Sequence, residues 1–348
     1  MRAALSNRGV QAALASAVLF GAGTPLAKLL VGSVNPWLLA GLLYCGSGLG
    51  LLAYRLVRRL PRVRLARHEL WPLIGAVGFG GVAGPVLLML GLTAMPASGA
   101  SLLLNAEAVF TTLLAWLVFK EHVDRRILLG MAVIVAGAIV LGVPSTVSLG
   151  TPLPALAILG ACLAWGLDNN LTRTVALTDA TWLAAVKGCV AGPINLMLGF
   201  GLGATLPPLG AVGGAMVVGL FAYGVSLALF IVGMRQVGTA RAGAYFSVAP
   251  FFGALLALAL GEPVTWSLVA AAALMGLGVW LHLSERHEHV HTHEAVTHTH
   301  WHTHDEHHDH SHPDGPVPAG VRHRHEHTHE PITHAHQHYP DAHHRHGH

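Results

Sequence analysis

Long apolar stretches separated by short polar loops make up the first 284 residues of the chain. A helix needs roughly 17 to 25 predominantly apolar residues to cross a bilayer core about 30 Å thick. The pattern therefore predicts an all-α polytopic membrane protein with ten transmembrane helices. The predicted spans are 9–31, 35–57, 70–93, 97–119, 127–143, 152–173, 180–200, 211–234, 239–260 and 264–283.

The composition excludes an ordinary soluble enzyme. Only 11% of the residues are charged and 53% are hydrophobic, whereas soluble domains carry about 25% charged residues. The short loops leave no room for a catalytic domain, and the chain has no nucleotide-binding loop, nucleophile elbow or HExxH motif. We expect neither an enzyme nor a required cofactor. The net charge of +3 averages a basic body and an acidic tail, so it does not indicate nucleic acid as a partner.

The distribution of basic residues predicts the orientation in the membrane. Fourteen lysines and arginines lie before the first span or in the even-numbered loops, whereas Lys28 alone lies near the other side. Positive loops remain cytoplasmic, so both termini are expected inside the cell, with the body in the inner (plasma) membrane. Lys28 is expected to extend its ammonium group to the membrane interface.

The body contains an internal repeat at an offset of about 141–145 residues. Because each copy contains five spans, the second would cross the membrane in the opposite direction, as in many secondary transporters. The expected units are 1–143, 152–284 and a tail at 285–348. Chance similarity between helices rich in Leu, Ala and Gly is the alternative. In the first matching pair of segments, Phe20-Gly21 followed by Lys28 corresponds to Trp165-Gly166 followed by Arg173. In the second pair, Phe119-Lys120-Glu121 followed by Gly130 and Gly137 corresponds to Leu260-Gly261-Glu262 followed by Ala271 and Gly278.

These residues resemble the EamA-type transporters of the drug/metabolite transporter superfamily. The Trp165-Gly166 motif and the units Glu121–Gly137 and Glu262–Gly278 carry the resemblance, which covers about 1–284 and none of the tail. Phe20, where Trp is expected, and Lys120, opposite Gly261, depart from the pattern. The resemblance implies ten spans in two inverted halves and movement of small metabolites, amino acids or drugs, usually outward, along a central cavity.

Polar residues inside the spans are the candidate pathway residues, because a charged group at the bilayer centre costs about 2.5–3.5 kcal/mol on insertion scales. Glu107 lies in the middle of the fourth span, together with Ser101 and Asn105. Its carboxyl either takes part in proton coupling or binding of a cationic group, or is a neutral hydrogen-bonded group that packs helices.

Asp168 and Lys187 are expected to pair across the sixth and seventh spans, with substrate binding as the alternative. Asn169 adds hydrogen-bonding capacity beside them. Gly80-Gly81 before Pro85, and Tyr245 and Ser247 before Pro250, predict breaks facing a cavity, with ordinary helix bending as the alternative.

The tail contains 23 of the 26 histidines and no apolar periodicity, which predicts a disordered segment. Neutral imidazole binds divalent metals such as Zn, Ni and Co. The alternatives are a purification tag, a solvated tail without a metal role, and a pH sensor. The predicted metal ligands are His287, His289, His291, His293, His298, His300, His302, His304, His307, His308, His310, His312, His323, His325, His327 and His329.

Three functions remain open. The first is a secondary transporter, interpreted as an exporter of a small metabolite, whose tail binds divalent metal. The second is a Zn, Ni or Co transporter that uses the tail to present or store the ion, and the third is a membrane-anchored metal store. Only three histidines lie in the body, at 68, 122 and 282, which argues against the second. Expected partners are the bilayer, a small-molecule substrate and divalent metal ions, and the sequence is compatible with a homodimer.

Overall fold

The structure is a computed structural model that describes residues 7–61, 63, 65–119, 125–142, 152–172, 175, 179–237, 239–283, 288–293, 296–302, 323–329 and 332–337. The described residues fall into a helical unit within Met1–Glu285 and a strand unit within Arg286–Tyr339.

Helical residues occupy every stretch that the sequence predicts to be a span. The π-helical segments are Val77–Ala83 and Leu220–Val225, and a short 3-10 helix covers Arg67–Glu69. The α-helices are α1 (Arg8–Val31), α2 (Pro36–Val57), α3 (Leu70–Ala76), α4 (Gly84–Ala94), α5 (Ala97–Leu103), α6 (Ala106–Phe119), α7 (Arg125–Gly142), α8 (Leu153–Thr172), α9 (Ala180–Gly201), α10 (Leu209–Gly219), α11 (Ser226–Val237), α12 (Thr239–Phe246), α13 (Ala249–Ala259) and α14 (Trp266–Leu283).

Six helical stretches among the described residues are long and apolar enough to cross a membrane. Two shorter apolar helices follow at Ala249–Ala259 and Trp266–Leu281. The helical unit is therefore that of a multi-pass membrane protein. The six stretches are Arg8–Val31, Pro36–Val57, Arg67–Ala94, Ala97–Val118, Thr181–Gly201 and Leu209–Gly233.

Two kinds of helix interruption each occur twice along the chain, with the same number of residues between the two copies. The two π-helical segments begin at Val77 and Leu220, and turns interrupt the fourth and ninth predicted spans at Leu104–Asn105 and Ser247–Val248. Both offsets are 143 residues (77 to 220 and 104 to 247). Of the two predicted breaks, the one at Gly80-Gly81 is a π-helical segment and the one near Ser247 is a turn, and their facing a cavity stays a prediction.

Helices of the first and second predicted units pack against each other. Helix α2 packs along α9 and α7 along α14, while α1 contacts α11 and α13, and α8 contacts α4 and α6. The α2–α9 contact depends on small residues: a Cβ atom at Gly48 or Gly188 would overlap the backbone of the other helix. Small residues of this kind allow close approach of membrane helices, whose association in lipid depends on packing.

The strand unit contains four short strands, β1 (Glu288–His293), β2 (Val296–His302), β3 (His323–His329) and β4 (Ile332–Gln337). Strand β1 pairs with β4 and β2 with β3, both antiparallel. The sequence analysis predicted disorder for the tail, and the structure gives these segments extended backbone. Alternation of histidine with Thr and Val has the period of a strand, and Thr and Val favour extended backbone. His287, His304, His307, His308, His310 and His312 lie outside the described residues.

Candidate transport pathway

Asp168 and Lys187 form a buried ion pair between α8 and α9, which confirms the predicted pairing. Lys187 Nζ lies 2.5 Å from Asp168 Oδ1, and the two side chains are 6% and 11% exposed, respectively. Thr172, one helical turn after Asp168, donates to the same carboxylate oxygen at 2.8 Å and accepts from Lys187 Nζ at 3.0 Å. The charges cancel and the hydrogen bonds offset part of the desolvation penalty that each ion incurs on burial.

Glu107 lies in the first turn of α6 and has an amide, not a cation, as its described partner. Asn169 Nδ2 donates to Glu107 Oε1 at 2.8 Å and lies 3.3 Å from Thr111 Oγ1. Asn170 Nδ2 donates to the carbonyl oxygens of Thr111, at 3.2 Å, and Gly166, at 2.8 Å. Two consecutive residues of α8 therefore make these contacts. Asp168 pairs with Lys187, and Asn169 binds the carboxyl group of Glu107.

A π-helical segment lies directly against this ion pair. Pro85 has no N–H group, so it cannot bond to the carbonyl of Gly81, four residues earlier, or to that of Gly80, five residues earlier. Side chains replace the missing donor. Tyr44 OH, at 2.7 Å, and Trp165 Nε1, at 3.0 Å, donate to the Gly80 carbonyl.

The Gly81 carbonyl receives a hydrogen bond from Asn195 Nδ2 at 3.0 Å. Donors from α2, α8 and α9 therefore satisfy both carbonyls, as the membrane interior requires. A Cβ atom at Gly80 would overlap the Asp168 carboxylate, so glycine at this position lets the ion pair approach the backbone.

An aromatic cluster joins elements of both halves around Phe20 of α1. The ring centroid of Phe20 lies 6.1 Å from that of Trp165, 6.0 Å from Tyr223 and 5.3 Å from Phe246. Tyr223 is in turn 5.4 Å from Tyr44. Trp165 and Tyr44 thus connect the cluster to the Gly80 carbonyl, and Phe20, where Trp was expected, packs edge-to-face on Trp165.

The other predicted pathway residues lie at the two helix breaks. Ser101 in α5 and Asn105 in the turn after it are buried. Asn105 Nδ2 donates to the Leu102 carbonyl at 2.8 Å, and Ser101 Oγ has no hydrogen-bond partner in the part of the chain that the structure describes. Tyr245 in α12 and Ser247 in the turn before α13 are half-buried. A transport role for these four residues stays a prediction.

Two polar clusters that the sequence analysis missed connect the two halves near the ends of helices. Arg55 donates to Asp179 Oδ1 and Thr181 Oγ1, both at 2.6 Å, and to the Pro61 carbonyl at 2.9 Å. Burial raises the pKa of the Asp179 carboxyl, but hydrogen bonds from Thr181 and the Trp182 amide, together with Arg55, outweigh burial and hold this pKa below its ordinary value.

In the second cluster, the Glu262 carboxylate accepts from the backbone N–H groups of Ala97 at 2.7 Å and Ser98 at 2.8 Å, at the start of α5. Burial raises the pKa of Glu262, but these hydrogen bonds and the charge of Lys28 outweigh it, so the pKa lies below its ordinary value. Lys28 Nζ itself donates to the Leu92 carbonyl at 2.5 Å. Its ammonium group therefore binds the backbone near the end of α4, and its extension to the membrane interface stays a prediction.

The described residues contain no group of three or more His, Cys, Asp or Glu side chains arranged to hold a metal ion. The paired Asp168 and the amide-bound Glu107 are the carboxylates of the candidate pathway, and neither has a histidine beside it among the described contacts.

Comparison with known proteins gives one consistent result. The sequence matches the EamA-like transporter family twice, over residues 7–143 and 152–284. It is 27% identical over 287 residues to an "uncharacterized transporter" of Methanothermobacter thermautotrophicus, covering 77% of this chain and 84% of the relative. It is 25% identical over 281 residues to the "uncharacterized inner membrane transporter YedA" of Escherichia coli K12, covering 76% and 89%. A solved crystal structure that is 19% identical superposes with a TM-score of 0.62, over 80% of this chain and 99% of that chain.

Proposed function

The chain belongs to the EamA-like transporter family, and on this premise we propose that it is a ten-span secondary transporter that exports a small metabolite. Its body is proposed to be two inverted five-helix repeats in the inner membrane, with both termini cytoplasmic. The 143-residue offset between the two π-helical segments, and between the two turns, supports the repeat. Two copies of the family match support it as well.

The observation that carries the pathway is the group formed by Glu107, Asn169, Asp168 and Lys187. Asp168 and Lys187 compensate each other, whereas Glu107 is held by an amide. A carboxyl with a neutral partner can release its proton or bind a cation without first breaking an ion pair. We assign to Glu107 the role of taking up a proton or the cationic group of the substrate, and to Asn169 the positioning of its carboxylate.

The placement of these groups supports export. Asp168 lies four residues before the end of α8, and Lys187 lies seven residues after the start of α9. The positive-inside rule assigns those helix ends to the cytoplasm. At the 143-residue offset, the first half has Pro25 and Tyr44 instead, so charge is concentrated where an exported substrate would first bind.

The test is transport into proteoliposomes that contain the full chain. A panel of radiolabelled amino acids and small amines, together with radioactive Zn²⁺, Ni²⁺ and Co²⁺, is applied with and without a pH gradient. We expect saturable uptake of an organic solute that Glu107→Gln abolishes while the protein stays folded, and that Glu69→Gln, outside the pathway, leaves unchanged. Saturable metal flux without any organic flux would replace this proposal by a metal transporter. Organic flux unchanged in Glu107→Gln would remove Glu107 from the mechanism.

The tail is proposed to bind divalent metal (Zn, Ni or Co) on its histidines, as a cytoplasmic buffer or sensor. The composition supports this role, because imidazole is a preferred ligand of these ions and the interspersed Asp and Glu can complete their coordination. Metal bound by the tail need not be the transported substrate, and the two activities are measured separately.

A further inference from the structure

One carboxylate connects the end of α13 to the start of α5. Helix α13 ends in a Schellman turn, in which the Glu262 N–H donates to the Ala257 carbonyl at 3.2 Å. Gly261 in this turn has a φ of +102°, which glycine adopts without a steric penalty. The turn brings the two carboxylate oxygens of Glu262 to the N–H groups of Ala97 and Ser98, one oxygen to each.

The same two helices pack closely beyond this contact. A Cβ atom at Gly253 of α13 would overlap the side chain of Ser101 in α5 and the backbone of Gly21 in α1. Ser101 is 1% exposed, and Thr24, three residues after Gly21, is 3% exposed. The contact of α13 with α5 and α1 therefore buries polar side chains at the end of the bundle where α5 begins.

The other end of the candidate pathway is accessible. One face of α8 carries residues at the i, i+4, i+7, i+11 spacing, namely Ile158, Cys162, Trp165 and Asn169. The first three are 0%, 0% and 5% exposed, whereas Asn169, in the last turn of the helix, is exposed. Its partner Glu107 is half-buried. This face of α8 is therefore accessible at the Asn169–Glu107 contact, at the helix end that the positive-inside rule assigns to the cytoplasm.

We propose that the Glu262 carboxylate is a latch that holds the non-cytoplasmic end of the pathway closed by keeping α5 against α13, and that this latch releases before the substrate leaves. The inference rests on the proposed export function and orientation, and it adds the residue that controls access at one end. Glu262 belongs to the second half and its partners Ala97 and Ser98 to the first, so the contact must break before α5 can move away from α13.

The strength and position of the contact suit a reversible latch. Hydrogen bonds to an ionised carboxylate are stronger than those between neutral groups, so the two bonds favour the closed end. Glu262 is half-buried and lies in the turn between two helices, so water can reach its carboxylate once the bonds break. Opening this end therefore leaves no charge buried without a partner.

The test measures access to the α5–α13 contact in the full-length protein, in membrane vesicles of known orientation. Ser101→Cys places a thiol in that contact, and its labelling by a membrane-impermeant maleimide is followed from the non-cytoplasmic face. We expect slow labelling with Glu262 intact and labelling about tenfold faster or more with Glu262→Ala, which removes both hydrogen bonds. Glu262→Gln should give an intermediate rate, because its amide keeps one acceptor oxygen. An unchanged rate in Glu262→Ala would overturn the latch.

Glu69→Ala is the matched control. The Glu69 carboxylate also accepts a backbone N–H group, that of Ala66 at 2.7 Å, but both residues belong to the first half. This variant should leave the Ser101→Cys thiol slow to react, and an equal acceleration would overturn the specific role of Glu262. Unfolding is monitored by Cys162, which is 0% exposed, in protein without the introduced cysteine. If Glu262→Ala also makes Cys162 reactive, the milder Glu262→Gln decides by the same criterion.

A second thiol tests the assignment of the two ends. Asn169→Cys should be labelled from the cytoplasmic face whether or not Glu262 is present, and labelling from the non-cytoplasmic face instead would overturn the assignment. Because labelling needs no substrate, it is independent of the transport measurement. Faster Ser101→Cys labelling in Glu262→Ala without any organic flux would support the latch and contradict the exporter. Organic flux with unchanged labelling would support the exporter and overturn the latch.

Discussion

Lys187 compensates the charge of Asp168 at a distance of 2.5 Å, across two helices whose other buried residues are mostly apolar. The pair lies against the π-helical segment Val77–Ala83, because Asp168 approaches Gly80 where a side chain would stand. The ion pair, the irregular backbone and the aromatic cluster are therefore one connected structure, and changes in any of them should affect the others.

Removing one member of the ion pair should be worse than removing both. Lys187→Met leaves the Asp168 carboxylate buried without compensation, which typically destabilises by about 3–5 kcal/mol. Replacing both with apolar residues of similar size, Asp168→Leu with Lys187→Met, should restore much of that loss. Thermal unfolding of the purified single and double variants in one detergent measures the coupling. Additive losses would show that the two residues do not stabilise each other.

Gly80 and Gly78 offer a matched pair of substitutions within one π-helical segment. Gly80→Ala places a Cβ atom on the Asp168 carboxylate, whereas Gly78→Ala meets nothing within 4 Å. We expect Gly80→Ala to destabilise by about 1–3 kcal/mol through overpacking. Gly78→Ala should be neutral or stabilise by up to about 1 kcal/mol, because alanine loses less backbone entropy than glycine. Similar melting temperatures for the two variants would contradict the close approach of Asp168 to Gly80.

The two donors to the Gly80 carbonyl should be partly redundant. Tyr44→Phe and Trp165→Phe each remove one hydrogen bond and leave the other, and the lost hydrogen bond should cost about 0.5–1.5 kcal/mol of unfolding free energy. Trp165→Phe also removes buried ring atoms, so its total loss should be larger. The double variant leaves a buried carbonyl without any described donor, and should cost more than the sum of the two. The unfolding midpoints of the three variants give the interaction energy, and a simple sum would argue against a shared acceptor.

The sequence predicted features that depend on one residue type in an apolar setting. A charged side chain in hydrocarbon needs a partner of opposite charge, and this requirement predicted the pairing of Asp168 with Lys187. Glycines before a proline predicted the helix break at Gly80-Gly81. The donors Tyr44, Trp165 and Asn195 were missed, because which side chain reaches an exposed carbonyl depends on helix packing, and packing is not visible in hydropathy. Asn195 had a usable signal, since an amide inside an apolar span needs a partner.

Glu262 and Arg55 were missed for a different reason. Both lie near helix ends, where charged residues are ordinary, and only the fold brings Glu262 to the start of α5, 165 residues away from Ala97. In the tail, the His-x-His alternation was interpreted by its metal chemistry, while its second property, the period of a strand, was not used.

Glu262 should make the protein sensitive to acid. Its pKa is lowered in the folded state, so the ionised carboxylate stabilises the fold above the ordinary pKa of glutamate, about 4.3. That contribution is lost as the pH falls through the lower, folded-state pKa. Glu262→Gln removes the charge that caps α5 and should lower stability near neutral pH by about 1 kcal/mol, the usual value of a helix cap. The difference between wild type and variant should shrink as the pH falls below 4.3. Melting temperatures of both proteins across this range measure it, with Glu69→Gln as the control. A gap that stays constant with pH would show that the charge of Glu262 does not stabilise the start of α5.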